Sequence, residues 1–225
     1  GEQTVSSLKL VEHFGKNGFF LLQLIPVTVS LFTLLVCIKF IHKRTLLSSL
    51  TIRKKFDFNR LIYGTGSWLF FLFLFFGLSY VFDSGSLSWN FRAEAFWKLL
   101  GISLIFVSLQ TIFEEVFFRG FLLQAFGSII KQKWILILLT SLIFMAMHLN
   151  NPEVKLLGWG AYLYYFATGV FLGVIVVTDN GLELSIGFHM INNLFGAIWL
   201  TNDWQIFQTD ALFRSSSPPE INIVH

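Results

Sequence analysis

Charge is scarce in this chain: Asp, Glu, Lys and Arg make up 13% of its 225 residues, where soluble domains carry about 25%. A water-facing surface cannot be built from so little, and an ordinary soluble domain is excluded. Cysteine is scarcer still. The single Cys37 lies in an apolar run, so neither a disulfide framework nor a thiolate zinc site is available, and the redox compartment is not readable. No repeat of fixed period occurs, which excludes solenoids and arrays. No His-Glu-x-x-His run is present, so the helical zinc-protease signature is missing. About eighteen mixed residues precede the first apolar run, and no cleavable signal peptide is expected.

What fills the chain is apolar side chain. Hydrophobic residues reach 55%, with 28 Phe and 7 Trp, more than one aqueous core of this size can hold, whereas lipid covers such surface without limit. The expected fold is all-α, a polytopic transmembrane bundle. Spans need about 20 apolar residues, and six candidates satisfy this: 19–40, 61–82, 96–113, 134–149, 157–178 and 182–200. Segment 114–130 is the anomaly, apolar at most positions yet holding Glu114, Glu115 and Arg119. A single helix over 96–130 would be about 52 Å long against a hydrocarbon core of about 30 Å. A broken element, or a span plus a re-entrant half-helix around 114–130, is therefore expected, bending at Gly120 or Gly127.

The formal charge is +3, and seven of the sixteen Lys and Arg (Lys39, Lys43, Arg44, Arg53, Lys54, Lys55, Arg60) fall between the first two spans. This is a topology signal rather than a nucleic-acid patch: a solvated cytoplasmic loop at the membrane surface, with Lys131 and Lys133 marking a second cytoplasmic turn. The N-terminus and loop 83–95 are then outside, and 96–130 counts as one crossing. The organisation expected is a two-span N-terminal addition (1–93), a core (94–202) and a polar, poorly ordered tail (203–225) with Ser-Ser-Ser-Pro-Pro at its centre.

Ionisable groups placed mid-membrane cost about 2.5–3.5 kcal/mol each on the insertion scale, so those present need a partner or a cavity. Glu115 and Arg119, four apart in the acid-first order, face each other on a helix and suit an ion pair. Glu114 is rotated by about 100° from Glu115 and is the freer acid, with Gln110 one turn earlier to orient it. His148 ends the fourth span, where an interfacial role is the bland alternative. His189 and Asn193 share one face of the sixth, where helix-to-helix hydrogen bonding is the alternative. His13, His42 and His225 lie in polar flanks. Together Glu114, His148, His189 and Asn193 are suited to take a proton from water and to donate hydrogen bonds to an oxyanion. Glu and two His could equally hold zinc with one open position.

Three motifs carry a resemblance. Glu114-Glu115-Val-Phe-Phe-Arg119, Phe144-Met-Ala-Met-His148 and His189-Met-Ile-Asn-Asn193 resemble, in order and spacing, those of the CAAX protease and bacteriocin-processing (CPBP, or Abi) family, which includes the type II CAAX prenyl endopeptidases. The resemblance covers about 94–202; the first two spans look like the family's variable N-terminal addition. It implies an intramembrane glutamic endopeptidase without a cofactor: Glu114 with His148 activating water, His189 and Asn193 forming the oxyanion hole, and Glu115 and Arg119 holding the first motif in shape. Phe144 would serve in packing. The expected partners are a peptide or protein substrate and the lipid bilayer, with no nucleic acid, in a bacterial plasma membrane. The length resembles the bacterial members, which weighs against a prenylated CAAX substrate. Zinc is the alternative cofactor, though Asn193 is a poor zinc ligand. A non-catalytic Abi-type immunity factor or scaffold is the alternative function, and a transporter is disfavoured because no matched pair of broken spans appears. At 1.5 Å per residue, His148 would lie about 21 Å deep and His189 about 10 Å deep, although the two should be level.

Overall fold

A computed structural model describes residues 2–82 and 84–216, with the side chains of 9–82 and 85–216. Among the described residues eight helices follow one another: α1 (Glu2–Val36, prolonged by a π-helical turn, Cys37–Ile41), α2 (Leu46–Leu50), α3 (Phe58–Phe82), α4 (Ala93–Gly127), α5 (Lys133–Met147), α6 (Pro152–Leu157), α7 (Trp159–Asp179) and α8 (Glu183–Ile198). Lys9–Ile41, α3, α4 and α7 are long and apolar enough to cross a membrane, while α5 is shorter, at 15 residues. Their outward faces are apolar: Val29 and Phe32 on α1, and Phe70, Phe75 and Val81 on α3, are all exposed. Lipid is the solvent that such a surface requires. The chain is an all-α membrane protein.

Helices in lipid gain nothing from burying apolar surface against one another, so close approach decides their packing. A Cβ at Gly64 would sit 2.7 Å from the Leu184 carbonyl oxygen, and one at Gly187 would run into Leu61, so these two glycines let α3 and α8 touch along their backbones. Gly169 does the same for α7 against Ser141 of α5. Two buried clusters tie the bundle: Phe20, Leu24, Leu99, Val107, Leu194 and Ala197 toward one end, and Ile38, Val116, Val176, Leu182 and Ile186 toward the other.

Three expectations need correction. Helix α4 neither breaks nor re-enters; it continues past Glu114 to Gly127 with π-helical turns at Ser103–Val107 and Val116–Leu122. The length argument took the hydrocarbon thickness as the limit of one unbroken helix, whereas this helix of 35 residues runs past that limit with Glu115 and Arg119 buried inside the bundle. Gly120 is no hinge: it admits the Ser49 carbonyl against α4.

The basic loop is not merely solvated. Arg53 donates to Asp179 at 3.1 Å and to Glu183 at 3.1 Å, Arg60 pairs with Asp179, and Thr51 bridges Gly181, clamping the loop onto the α7–α8 turn. The acids that this turn presents are the reason.

The third correction concerns the tail. Its described part, 203–216, is packed: β3 (Phe213–Ser215) pairs antiparallel with β1 (Leu87–Trp89) and parallel with β2 (Leu200–Thr201). Thr209 and Ala211 are fully buried, and Phe207 packs on Phe20. These few anchors outweigh the polar average. Residues 217–225, with the two prolines, lie outside the described residues.

Candidate active site

Helix α4 places Gln110 and Glu114 on successive turns of one face, and Glu115 with Arg119 on another. Arg119 Nη1 donates to Glu115 Oε1 at 2.8 Å, Nη2 donates to the Gly169 carbonyl at 3.3 Å, and the guanidinium lies 4.7 Å over the Phe144 ring. Both charged side chains are sealed from solvent, Glu115 at 0% and Arg119 at 2% exposure. The same Glu115 oxygen lies 2.8 Å from His189 Nδ1 on α8. A carboxylate there only accepts, so Nδ1 carries the proton and Nε2 is the free edge of His189.

That free edge faces Glu114, with His189 Nε2 3.4 Å from Glu114 Oε2. Glu114 Oε1 accepts from Gln110 Nε2, and Gln110 Oε1 accepts from Asn193 Nδ2 at 3.3 Å. Glu114 Oε2 is buried with no hydrogen-bond donor among the described residues. One oxygen of this acid is thus fixed and the other is available.

His148 caps the end of α5. Its Nδ1 lies 2.7 Å from the Phe144 carbonyl, so it donates there and leaves Nε2 as the acceptor edge of the neutral ring. The imidazole stacks on Tyr165 of α7 at 4.2 Å. Among the described residues Glu114 makes no direct hydrogen bond with His148, and the imidazole 3.4 Å from the acid is that of His189. The two imidazoles nevertheless share Phe144, whose ring centroid is 4.5 Å from His148 and 6.1 Å from His189.

Sequence reasoning missed a buried acid near His148. Tyr165 Oη donates to Glu153 Oε1, Asn151 Nδ2 reaches the same oxygen at 3.1 Å, and the Ile206 amide donates to Oε2 at 3.0 Å. Glu153 follows Pro152 at the start of α6, where an acid in the first turn is ordinary capping chemistry, so nothing in the sequence set it apart. For a metal, no cluster of three or more His, Cys, Asp or Glu side chains occurs among the described residues.

Comparison with known proteins converges on these helices. Residues 95–195 match the family model described as "Type II CAAX prenyl endopeptidase Rce1-like". The chain is 31% identical over 173 residues to the "Uncharacterized protein YyaK" of Bacillus subtilis (strain 168), a match covering 76% of this chain and 58% of that relative. The chain thus spans less than two thirds of the relative's length. No solved structure gives a significant match. Glu114, Glu115, Arg119, His148, His189 and Asn193 all fall within 95–195, the segment similar to the Rce1-like, type II CAAX prenyl endopeptidase family.

Proposed function

We propose that the protein is an intramembrane endopeptidase, resident in a bacterial plasma membrane, that hydrolyses a peptide bond of a membrane-associated protein or peptide. Glu114 is the general base. The observation that carries this role is its pair of oxygens, one held by Gln110, the other buried beside His189 without a donor. The ion pair of Glu115 with Arg119 neutralises its own charge, so Glu114 is the acid left for proton transfer.

In this mechanism Glu114 Oε2 takes a proton from a water as the water attacks the scissile carbonyl carbon. His148, with Nδ1–H committed to the Phe144 carbonyl, offers Nε2 to the same water. His189 and Asn193 line the side on which the oxyanion forms: Asn193 offers an amide N–H, and His189, with Nδ1–H on Glu115, donates from Nε2 only when that nitrogen also holds a proton. The proton held by Glu114 passes to the leaving amine, which returns the acid to its starting state. No cofactor takes part in this scheme, and zinc is the competing alternative.

The test compares new protein N-termini in the membrane fraction of a bacterial host expressing either the wild-type chain or Glu114→Gln. The amide keeps the shape but accepts no proton, so cleavage should fall by roughly 10²–10⁴, with equal amounts of folded protein. Identical sets of termini from the two would refute the protease and favour a scaffold or immunity factor.

A further inference from the structure

The catalytic reading uses side chains of α4, α5 and α8, yet a polar contact from α3, outside the segment matched by the family model, reaches the same network. Trp68 Nε1 donates to Asn192 Oδ1 at 3.2 Å, and Asn192 Nδ2 donates to Asn193 Oδ1 at 3.3 Å. Asn193 Nδ2 then donates to Gln110 Oε1 at 3.3 Å, and Gln110 Nε2 donates to Glu114 Oε1. Four hydrogen bonds thus run from an indole to the proposed base, crossing from α3 through α8 to α4.

The direction of this chain is fixed at both ends. An indole N–H only donates, and an ionised carboxylate only accepts. A carboxamide by itself can face its neighbour with either its oxygen or its nitrogen, and three in series admit several arrangements. With the indole at one end, Asn192 must turn its oxygen to α3, which leaves its NH2 for Asn193. Asn193 must then accept on its oxygen and present its NH2 toward α4, and Gln110 does likewise toward Glu114. Each bond polarises the next in the same sense. Adjacent positions on a helix diverge by about 100°, which is why Asn192 reaches α3 while Asn193 reaches α4.

We infer that Trp68 is a positioning residue for the proposed reaction, setting the orientation of the Asn193 and Gln110 carboxamides through Asn192. The consequence is chemical: an oxyanion needs the N–H side of Asn193, and a flipped amide would offer it a carbonyl. The first pair of spans then supplies the donor that heads this chain. The aromatic cluster of Trp68 with Phe171 and Phe188, 5.6 and 5.8 Å away, would be kept by phenylalanine. Trp68→Phe therefore removes the donor without emptying the site.

This inference rests on the protease reading for its kinetic consequence but not for its structural one, and the experiment separates the two. In the full chain in detergent micelles with 15N-labelled tryptophan, the indole resonance lost in Trp68→Phe is that of Trp68. It should sit at a hydrogen-bonded position and shift in Asn192→Leu, and also in Gln110→Met, although Gln110 is two amides away. Kinetically, on a peptide spanning a wild-type, Glu114-dependent cleavage site, Trp68→Phe should lower kcat roughly tenfold, as loss of about one net hydrogen bond implies, with KM unchanged. Trp134→Phe, at an exposed position on α5, should alter neither readout. A Trp68 resonance unmoved by both amide substitutions, or a KM effect with kcat intact, would overturn the inference. If the wild type cleaves nothing, the protease reading falls and the resonances still decide the chain.

Discussion

Removing Arg119 is the sharpest test of how charge is handled inside this bundle. Arg119→Leu leaves Glu115, fully buried, with His189 as its remaining partner in the ion-pair set. Breaking a buried pair from one side costs about 3–5 kcal/mol, because the surviving charge is uncompensated. The lost contact over Phe144, at 4.7 Å, adds about 0.5–2 kcal/mol. Against a total stability of about 5–15 kcal/mol, the single variant should give a much lower yield of monodisperse protein. Its melting temperature in detergent should drop by roughly 10 °C, at about 2–4 °C per kcal/mol for a chain of this size. The double variant Arg119→Leu with Glu115→Leu removes both charges and should recover most of that stability, since well-packed apolar replacements of buried pairs are often neutral. It should not recover cleavage, because His189 Nδ1 has then lost the acceptor that turns Nε2 toward Glu114. A single variant that melts with the wild type would refute the structural role of the pair, and a double variant that cleaves normally would refute the orienting role of Glu115.

Two further outcomes test neighbouring steps. Thorough chelation should leave the Glu114-dependent cleavage unchanged; loss of activity with one zinc per chain, restored on adding zinc, would replace the metal-free mechanism. Gly64→Val should push α3 off α8, where the Leu184 carbonyl already lies 2.7 Å from the position of a Cβ. A destabilisation of about 1–3 kcal/mol by overpacking should appear in thermal melts, and an unchanged melting temperature would show that α3 does not depend on that contact.

The bundle was legible in the sequence because lipid imposes a length and a composition on every span: four of the six apolar segments fall on helices long and apolar enough to cross a membrane, and 134–149 and 182–200 fall on shorter helices of 15 and 16 residues. Within one helix, spacing also sufficed: Glu115 with Arg119 and Gln110 with Glu114 are both four apart, and both pairs are hydrogen-bonded. Across helices it did not. Periodicity gives the face on which His189 lies but not which neighbour packs there, so its contacts with Glu114 and Glu115 were out of reach, as were Trp68 with Asn192 and Tyr165 with Glu153. The break expected in α4 came from setting its length against the hydrocarbon thickness alone, whereas the helix runs to Gly127 in one piece. The π-helical turn at Val116–Leu122, which holds Arg119 inside the bundle, has no simple sequence cue. The tail misled because its polar average conceals Phe207, Ala211 and Phe213, which anchor it.

Two adjacent acids on one membrane helix make an expensive arrangement unless each has its own solution. Because successive residues diverge by about 100°, Glu114 and Glu115 meet different edges of the one His189 ring and otherwise different partners, and the two receive different treatment. Glu115 has a guanidinium and an imidazole N–H on one oxygen and is wholly enclosed. Glu114 has a neutral amide on one oxygen and the edge of His189 near the other, with its side chain 12% exposed. An acid that is already neutralised and enclosed is poorly placed to exchange protons with water, and one left bare in a dry core would be expelled or protonated. Splitting the two burdens between neighbours, charge compensation on Glu115 and, in the proposed mechanism, reactivity on Glu114, lets one turn of helix fix His189 and still keep a carboxylate facing it. This division predicts asymmetry in the conservative variants: Glu115→Gln should lose more stability than activity, and Glu114→Gln the reverse.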